Sequence, residues 1–199
     1  MNKKSIILKD LVNFGKACYG NSLIICGGGN ISAKAGSKIY IKREGVSLQH
    51  AAPRDFMPIS IKEASAVFTG NFRPSKEFRM HLACFKVRPD IGAVIHTHPV
   101  FSTAMGNASR SLLKDFTYEL KYTMNSEVPC VKNIEPGTGV LAEEVGKKIK
   151  NANGVILSNH GIVTVGKTLE EAFNRNLALE RAAKVYILTR ILRFIESKT

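Results

Sequence analysis

Ile91-Gly-Ala-Val-Ile-His96-Thr-His98-Pro99 is the stretch from which the rest of the chain is read. Ile91, Ala93, Val94 and Ile95 are apolar, and Pro99 cannot continue a strand ladder, so the segment reads as a buried strand ending in two histidines. Side chains two residues apart on a strand point to the same side, so His96 and His98 present two imidazoles to one place. Two neutral imidazoles converging there suit Zn²⁺ or a similar divalent ion. On this pair alone, two half-exposed histidines near a turn are an equal alternative.

Upstream, Ile7, Leu8, Leu11, Val12 and Phe14 form an apolar stripe that predicts a helix from Ser5 to Gly20. Three glycines follow, Gly27-Gly28-Gly29, then Asn30 and Ser32. They let the backbone take positive φ and approach a ligand, or they form only a turn. No Gly-Lys-Ser/Thr follows them and the Gly-x-Gly-x-x-Gly spacing is missing, which excludes a P-loop and a dinucleotide fingerprint. Ser37–Lys42 alternates as a strand, Arg43-Glu44-Gly45 reads as a turn, and Asp55–Ile61 is a second short strand, together a set of antiparallel hairpins. Ser75 is the expected N-cap of a helix running to about Val87. Glu77 falls in its first turn, where exposed amides favour a carboxylate. His81 lies four residues on, on the same helical face. It is a rival metal ligand, although a buried histidine of the core or behind the site is the better assignment.

Downstream, a short helix is expected over Pro99–Met105 and a loop over Gly106–Lys114. A segment beginning at Phe116 then leads to a strand over Val128–Val131. A helix follows from Val140 to Lys150. Val155–Val165 reads as an apolar strand interrupted by Asn159-His160-Gly161 and then resumed, which turns His160 out of the sheet toward a site. A long helix runs from Thr168 to Ile195, opened by a capping box of Thr168 and Glu171. Its apolar positions Ala172, Leu179, Ala183, Tyr186 and Ile187 are assigned to packing. The whole reads as one α/β domain over residues 1–199, a mainly antiparallel central sheet flanked by helices. Strands and helices do not alternate regularly enough for a doubly wound parallel sheet.

Composition narrows the partners. Hydrophobic residues make up 44% of the 199, enough for a sizeable core, and no apolar run reaches the roughly 18 residues of a membrane span. The apolar stretch near the start is too short for a signal peptide, so a cytoplasmic protein is expected. Cys18, Cys26, Cys84 and Cys130 are widely spaced with no Cys-x-x-Cys pair, and are assigned as reduced structural thiols. The net charge is +13, which draws anions. The basic residues are dispersed and aromatics are only 8%, which argues for small phosphorylated substrates over nucleic acid.

An acid at a helix start, two histidines at a strand end and a third in an interrupted strand form a sensible ligand set for Zn²⁺. A carboxylate that can leave the metal keeps a position open and can move a proton. In chain order, the motifs Gly-Gly-Asn30-Ile-Ser, Ser75-Lys-Glu77 followed by His81, Arg88-Pro89-Asp90, Ala93-Val-Ile-His96-Thr-His98 and Asn159-His160-Gly161 span nearly the whole sequence. This combination resembles the class II aldolase/adducin family.

The resemblance implies that His96, His98 and His160 hold one Zn²⁺ per subunit. Glu77 would be the fourth ligand at rest and the acid/base once substrate displaces it. It implies a lyase that splits a sugar phosphate, such as L-fuculose 1-phosphate, into dihydroxyacetone phosphate and an aldehyde through an enediolate. The phosphate would sit on Gly29, Asn30, Ser75 and Lys76 and the turn at Arg43 and Gly45. Tyr118, twelve residues before Cys130, matches a family tyrosine that donates a proton across a subunit boundary, and the family's aldolases are homotetramers. On the residues alone Tyr118 is equally a packing tyrosine in a loop.

Two positions depart from the aldolase pattern. Glu44 stands where a threonine is usual, and a carboxylate facing a phosphate is repulsive. Either Glu44 turns away, or Arg43 and Lys76 carry the anion. Lys76 stands where the aldolases have a second serine, and Ser-Lys-Glu resembles family branches that decarboxylate 3-oxo sugar-acid phosphates. Decarboxylation, or 4-epimerisation of a ribulose phosphate, is therefore the alternative activity, and a non-catalytic adducin-like scaffold the remaining one.

Overall fold

The computed structural model describes residues 3–62, 68, 72–112 and 116–198. One seven-stranded sheet runs through it. Its strands are β1 (Asn30–Ala35), β2 (Lys38–Lys42), β3 (Phe56–Ser60), β4 (Ala93–Thr97), β5 (Cys130–Val131), β6 (Gly154–Leu157) and β7 (Gly161–Gly166), in the spatial order β3-β2-β1-β4-β7-β6-β5. Every pairing is antiparallel except β5 with β6. The helices are α1 (Lys3–Gly20), α2 (Phe78–Val87), α3 (Val100–Asn107), α4 (Tyr118–Met124), α5 (Gly139–Ile149) and α6 (Leu169–Glu196).

Strand alternation sorts the core into two layers. Ile39, Ile41, Val94, Val163 and Val165 face α2 and α5. Ile31, Ala33, Tyr40, Ala93 and Ile95 face α1 and the start of α6. A third cluster beneath α3, α4 and α6 gathers Met105, Leu120, Met124, Ile162 and Leu179. Arg88 ties the end of α2 to the end of α5: its guanidinium bonds Asp90 at 2.7 and 2.8 Å and the Ile149 and Ala152 carbonyls at 3.2 Å. The Arg88-Pro-Asp90 motif is thus a clamp between helices. Cys18 and Cys84 are buried, and burial pushes both thiols up to about 12, which keeps them unreactive.

Several local expectations change. The expected interrupted strand is a reversal. Asn159 takes a left-handed conformation at φ 58°, and Leu157 pairs with Gly161, so β6 and β7 form an antiparallel hairpin with His160 in its turn. Ser75 does not cap α2. Its amide bonds the Lys42 carbonyl at 2.8 Å and Pro74 bridges Arg43, so the chain stays extended alongside β2 and enters the helix only at Phe78. Glu77 is therefore the N-cap residue, and its carboxylate makes no capping bond. The capping box of α6 is half formed: Thr168 accepts from the Glu171 amide, while the Glu171 carboxylate takes the Lys167 amide instead. The segment from Phe116 contains helix α4, capped by Thr117 and buried through Leu120 and Met124, and only Cys130 and Val131 are strand. β1 begins at Asn30, directly after the Gly27–Gly29 run, and is an element beyond those expected from the sequence. Of the expected loop over 106–114, residues 106 and 107 belong to α3, and residues 113 and 114 lie outside the described residues.

Candidate metal centre

β1 and β4 are neighbours, and Asn30 pairs directly with His96. His96 shares the Val94 side of β4 and so faces the entry to α2, where Glu77 sits. His98 follows past the strand end, and the β6–β7 turn brings His160 to the same place. Four segments distant in sequence thus converge.

The His96 Nδ1–H donates to the Ile162 carbonyl at 2.9 Å, which fixes its tautomer and leaves a lone pair on Nε2. That Nε2 lies 2.9 Å from His98 Nε2, 3.2 Å from His160 Nε2 and 3.1 Å from Glu77 Oε2. Glu77 Oε1 is 3.2 Å from His160 Nε2. One atom from each of the four residues falls within 4.8 Å of the others. His96 Nε2 can accept one N–H, yet three further polar atoms crowd the same lone pair. Glu77 Oε1 is buried and, with His160 Nε2 at 3.2 Å, makes no well-formed hydrogen bond. A divalent cation satisfies such a cluster, and three imidazole nitrogens with one carboxylate are a tetrahedral donor set. The residues present therefore fit a metal.

The electrostatics agree. Burial alone would raise the Glu77 carboxyl, but the His96 and His160 rings overcome it and hold it far below the ordinary range, as an anion. Burial, then repulsion from His96 and His160, pushes His98 down to about 3, so its ring is neutral at pH 7 and has a lone pair to offer. Gly161 makes this closeness possible: a Cβ there would lie 2.1 Å from the Thr97 carbonyl and 2.9 Å from the His98 ring.

A pocket of about 340 Å³ opens over the cluster. Gly29, Asn30, Gly45, Ser75, Lys76, Glu77, His98 and His160 line it, so most of the expected site residues meet there. His96 (fully buried beneath them), Arg43 and Tyr118 are not among its lining residues. Arg43 turns to Asp55 at 3.5 Å and stacks on Phe72. Tyr118 is 76% exposed on α4, stacked against Tyr122. Glu44 stays in the pocket wall, but Arg73 and Lys76 hold it at 3.5 and 3.4 Å. Its charge is thereby balanced without its turning away from the pocket.

The sequence reading missed Lys42, as well as Glu135, Pro136 and Gly137 of the opposite wall. Lys42 is only 4% exposed, and its ammonium donates to the Gly27 carbonyl at 3.0 Å. Burial lowers it to about 8, with the Glu77 charge opposing that shift. Among the described residues no carboxylate forms an ion pair with it, and a buried cation so placed, facing a pocket, has the chemistry to receive an anion. Its only sequence signal was its place at the end of an alternating strand, just before the turn.

The comparisons with known proteins come to the same place. Residues 9–187 match the family model described as the class II aldolase and adducin N-terminal domain. The chain is 33% identical over 189 residues to an L-fuculose phosphate aldolase of Methanococcus maripaludis, covering 92% of this chain and 99% of the relative. It is 26% identical over 183 residues to a 3-oxo-tetronate 4-phosphate decarboxylase of Haemophilus influenzae, covering 88% of this chain and 84% of the relative. A solved L-fuculose 1-phosphate aldolase superposes with a TM-score of 0.86 at 27% identity, over 94% of this chain and 88% of that one. With the seven-stranded sheet, the Glu/His₃ cluster and a family match over most of its length, this chain belongs to the class II aldolase and adducin family.

Proposed function

We propose that this chain is a zinc-dependent aldehyde-lyase that cleaves a sugar phosphate of the L-fuculose 1-phosphate kind into dihydroxyacetone phosphate and an aldehyde. The observation that carries it is the Glu77, His96, His98 and His160 cluster at the floor of a pocket that also holds a buried lysine. His96, His98 and His160 would hold the ion with Glu77 as the fourth ligand. When bound, the ion supplies Lewis acidity that stabilises the negative charge left as the carbon–carbon bond breaks.

The remaining work belongs to the protein. Gly29, Asn30, Gly45 and Ser75 line the place for the phosphate, and Lys42 supplies it a buried positive charge. Lys76, at the rim and shared with Glu44, contributes less. Arg43 acts at one remove, by fixing the turn before Gly45 through Asp55. Glu77, an anion until substrate displaces it, takes up a proton equivalent to the one the substrate hydroxyl loses as the bond breaks and returns it to the carbon left behind. Tyr118, too exposed to serve its own pocket, exchanges a proton with the departing aldehyde oxygen of a neighbouring subunit.

A homotetramer fits this, and it is supported by the uncovered Leu188, Leu192, Phe194 and Ile195 at the end of α6 and by exposed Tyr118 and Tyr122. A cytoplasmic location fits a phosphorylated substrate, and among the described residues no helix is long and apolar enough to cross a membrane.

The second reading, decarboxylation of a 3-oxo sugar-acid phosphate on the same site, is favoured by Lys76 and by the Haemophilus relative. Incubating the zinc-loaded protein with ketose phosphates and sugar-acid phosphates separates the two. Release of dihydroxyacetone phosphate supports the aldolase, and release of CO₂ alone supports the decarboxylase. Glu77→Gln is expected to keep much of the zinc and lose turnover by about 10²-fold or more. Unchanged turnover in that variant removes Glu77 from proton transfer.

A further inference from the structure

Behind Glu77 lies a line of buried polar groups, of which only Asn30 also lines the pocket. Asn30 Nδ2 donates to Glu77 Oε2 at 2.9 Å. Asn30 Oδ1 lies in short contact with His81 Nε2, and His81 Nδ1 is 2.7 Å from Ser32 Oγ. Ser32 and His81 are fully buried, and Asn30 is 3% exposed.

Two periodicities bring these groups into line. Asn30 and Ser32 are two apart on β1 and so share a face, about 6.6 Å apart along the strand. Glu77 and His81 are four apart where the chain enters α2, about 6 Å apart along a helix. The matched rise lets each strand residue meet its helix partner.

The direction of every bond follows from what each atom can do. Glu77 is an anion and only accepts, so the Asn30 amide nitrogen must face it. That leaves Asn30 Oδ1 toward His81, and an amide oxygen only accepts, so His81 Nε2 must carry the proton. The buried ring touches no carboxylate and is neutral, with burial lowering it to about 3. Its Nδ1 therefore accepts, and the donor is the Ser32 hydroxyl. Turning the Asn30 amide over would set its oxygen against the carboxylate. The line thus runs one way, from Ser32 through His81 and Asn30 to one oxygen of Glu77, and leaves Oε1 outside it, on the His160 side and without a well-formed hydrogen bond.

We infer that His81 is a positioning residue for the proton-transfer step: by holding the Asn30 amide in one orientation it fixes Glu77 Oε2 and leaves Oε1 to work. The inference rests on the aldolase reading only for its kinetic arm.

The first measurement needs no variant and no substrate. Nitrogen-15 NMR of the metal-free protein should show the His81 ring neutral and protonated at Nε2. A ring protonated only at Nδ1, or an imidazolium at pH 7, overturns the inference. In zinc-loaded protein, His81→Phe should lower kcat by about tenfold to a hundredfold, with KM moving less than about threefold. His81→Gln, which keeps a donor for Asn30, should recover most of that loss. Equal losses in both variants, or a change confined to KM or to melting temperature, overturn it. If His81→Phe does not fold, Ser32→Ala gives the same test: the His81 proton should stay on Nε2 and kcat should fall by a few-fold, and an unchanged kcat counts against the relay. A wild-type protein that turns over no sugar phosphate defeats the aldolase reading, while the NMR arm still decides the relay.

Discussion

Lys42 gives a test in which stability and binding move in opposite directions. Folding lowers this ammonium from an ordinary 10.5 to about 8, mainly through burial. At pH 7 the folded protein therefore carries a charge it disfavours, and the difference corresponds to about 3 kcal/mol. Lys42→Met keeps the apolar stem and removes the charge. The lost bond to the exposed Gly27 carbonyl costs about 1 kcal/mol, because water can replace it. The metal-free variant should thus be about 2 kcal/mol more stable than the wild type at pH 7, or roughly 4–8 °C higher in Tm for a chain of this size.

The sign with pH is fixed as well. Between about 8 and 10.5 the unfolded chain holds the Lys42 proton and the folded chain does not, so wild-type stability from this group rises with pH across that window. The gap between variant and wild type should be full below pH 8 and shrink toward pH 10.5. Urea melts of chelator-treated protein at pH 7, 8.5 and 10 measure it. Inorganic phosphate should stabilise the wild type at pH 7 and leave Lys42→Met nearly unmoved. A variant less stable than wild type, with a gap that ignores pH and an undiminished phosphate response, would refute the assignment of Lys42 as a buried anion receptor.

Other perturbations probe the remaining parts of the site. Gly161→Ala forces a Cβ against the Thr97 carbonyl and the His98 ring, and should cost about 1–3 kcal/mol of stability together with at least tenfold in zinc affinity. A variant with full metal content and an unchanged melt would show that β4 and β7 can separate freely. Tyr118→Phe should lower turnover by about 10²-fold while leaving KM nearly intact. Mixing it with Glu77→Gln should restore activity, because mixed assemblies contain sites with both native residues, and wild-type rates in the single variant would return Tyr118 to surface packing. Glu44→Gln releases Arg73 and Lys76 and should tighten inorganic phosphate by about three- to tenfold. Unchanged affinity would mean that neither cation reaches the anion.

The legible parts of the chain were those whose chemistry is local. The apolar period of α1 and α6, the alternation of β2 and the His-x-His at the end of β4 need only neighbours in sequence to be read, and they held to within a residue or two at most boundaries. The errors occurred where a distant partner decides the conformation. Ser75 looks like a cap until Lys42 draws its amide to the end of β2. Asn159-His160-Gly161 looks like a break in one strand because only β4 and β7 in place show that the chain reverses there. Lys42 was hidden for the same reason. A lysine ending a strand is ordinary, and it is exceptional only once the Gly27–Gly29 loop and Ser75 close over it.

The balance of charge in the pocket bears on which substrate it takes. A sugar-acid phosphate brings a carboxylate as well as a phosphate, and a ketose phosphate brings the phosphate alone. Of the lining cations, Lys76 is shared with Glu44, and Arg73 beside the pocket is held by the same carboxylate. Both are also substantially exposed, so solvent weakens what they offer an anion. Glu135 adds a further negative charge to the lining. Lys42 alone is buried, with no carboxylate ion-paired to it among the described residues, and so has its full effect on one anionic group. Beyond the metal, a second anion meets only a rim whose positive charge is already balanced. One deeply placed cation and a neutralised rim match a substrate with a single phosphate, which is why the aldolase reading is preferred to the decarboxylase although Lys76 resembles the latter.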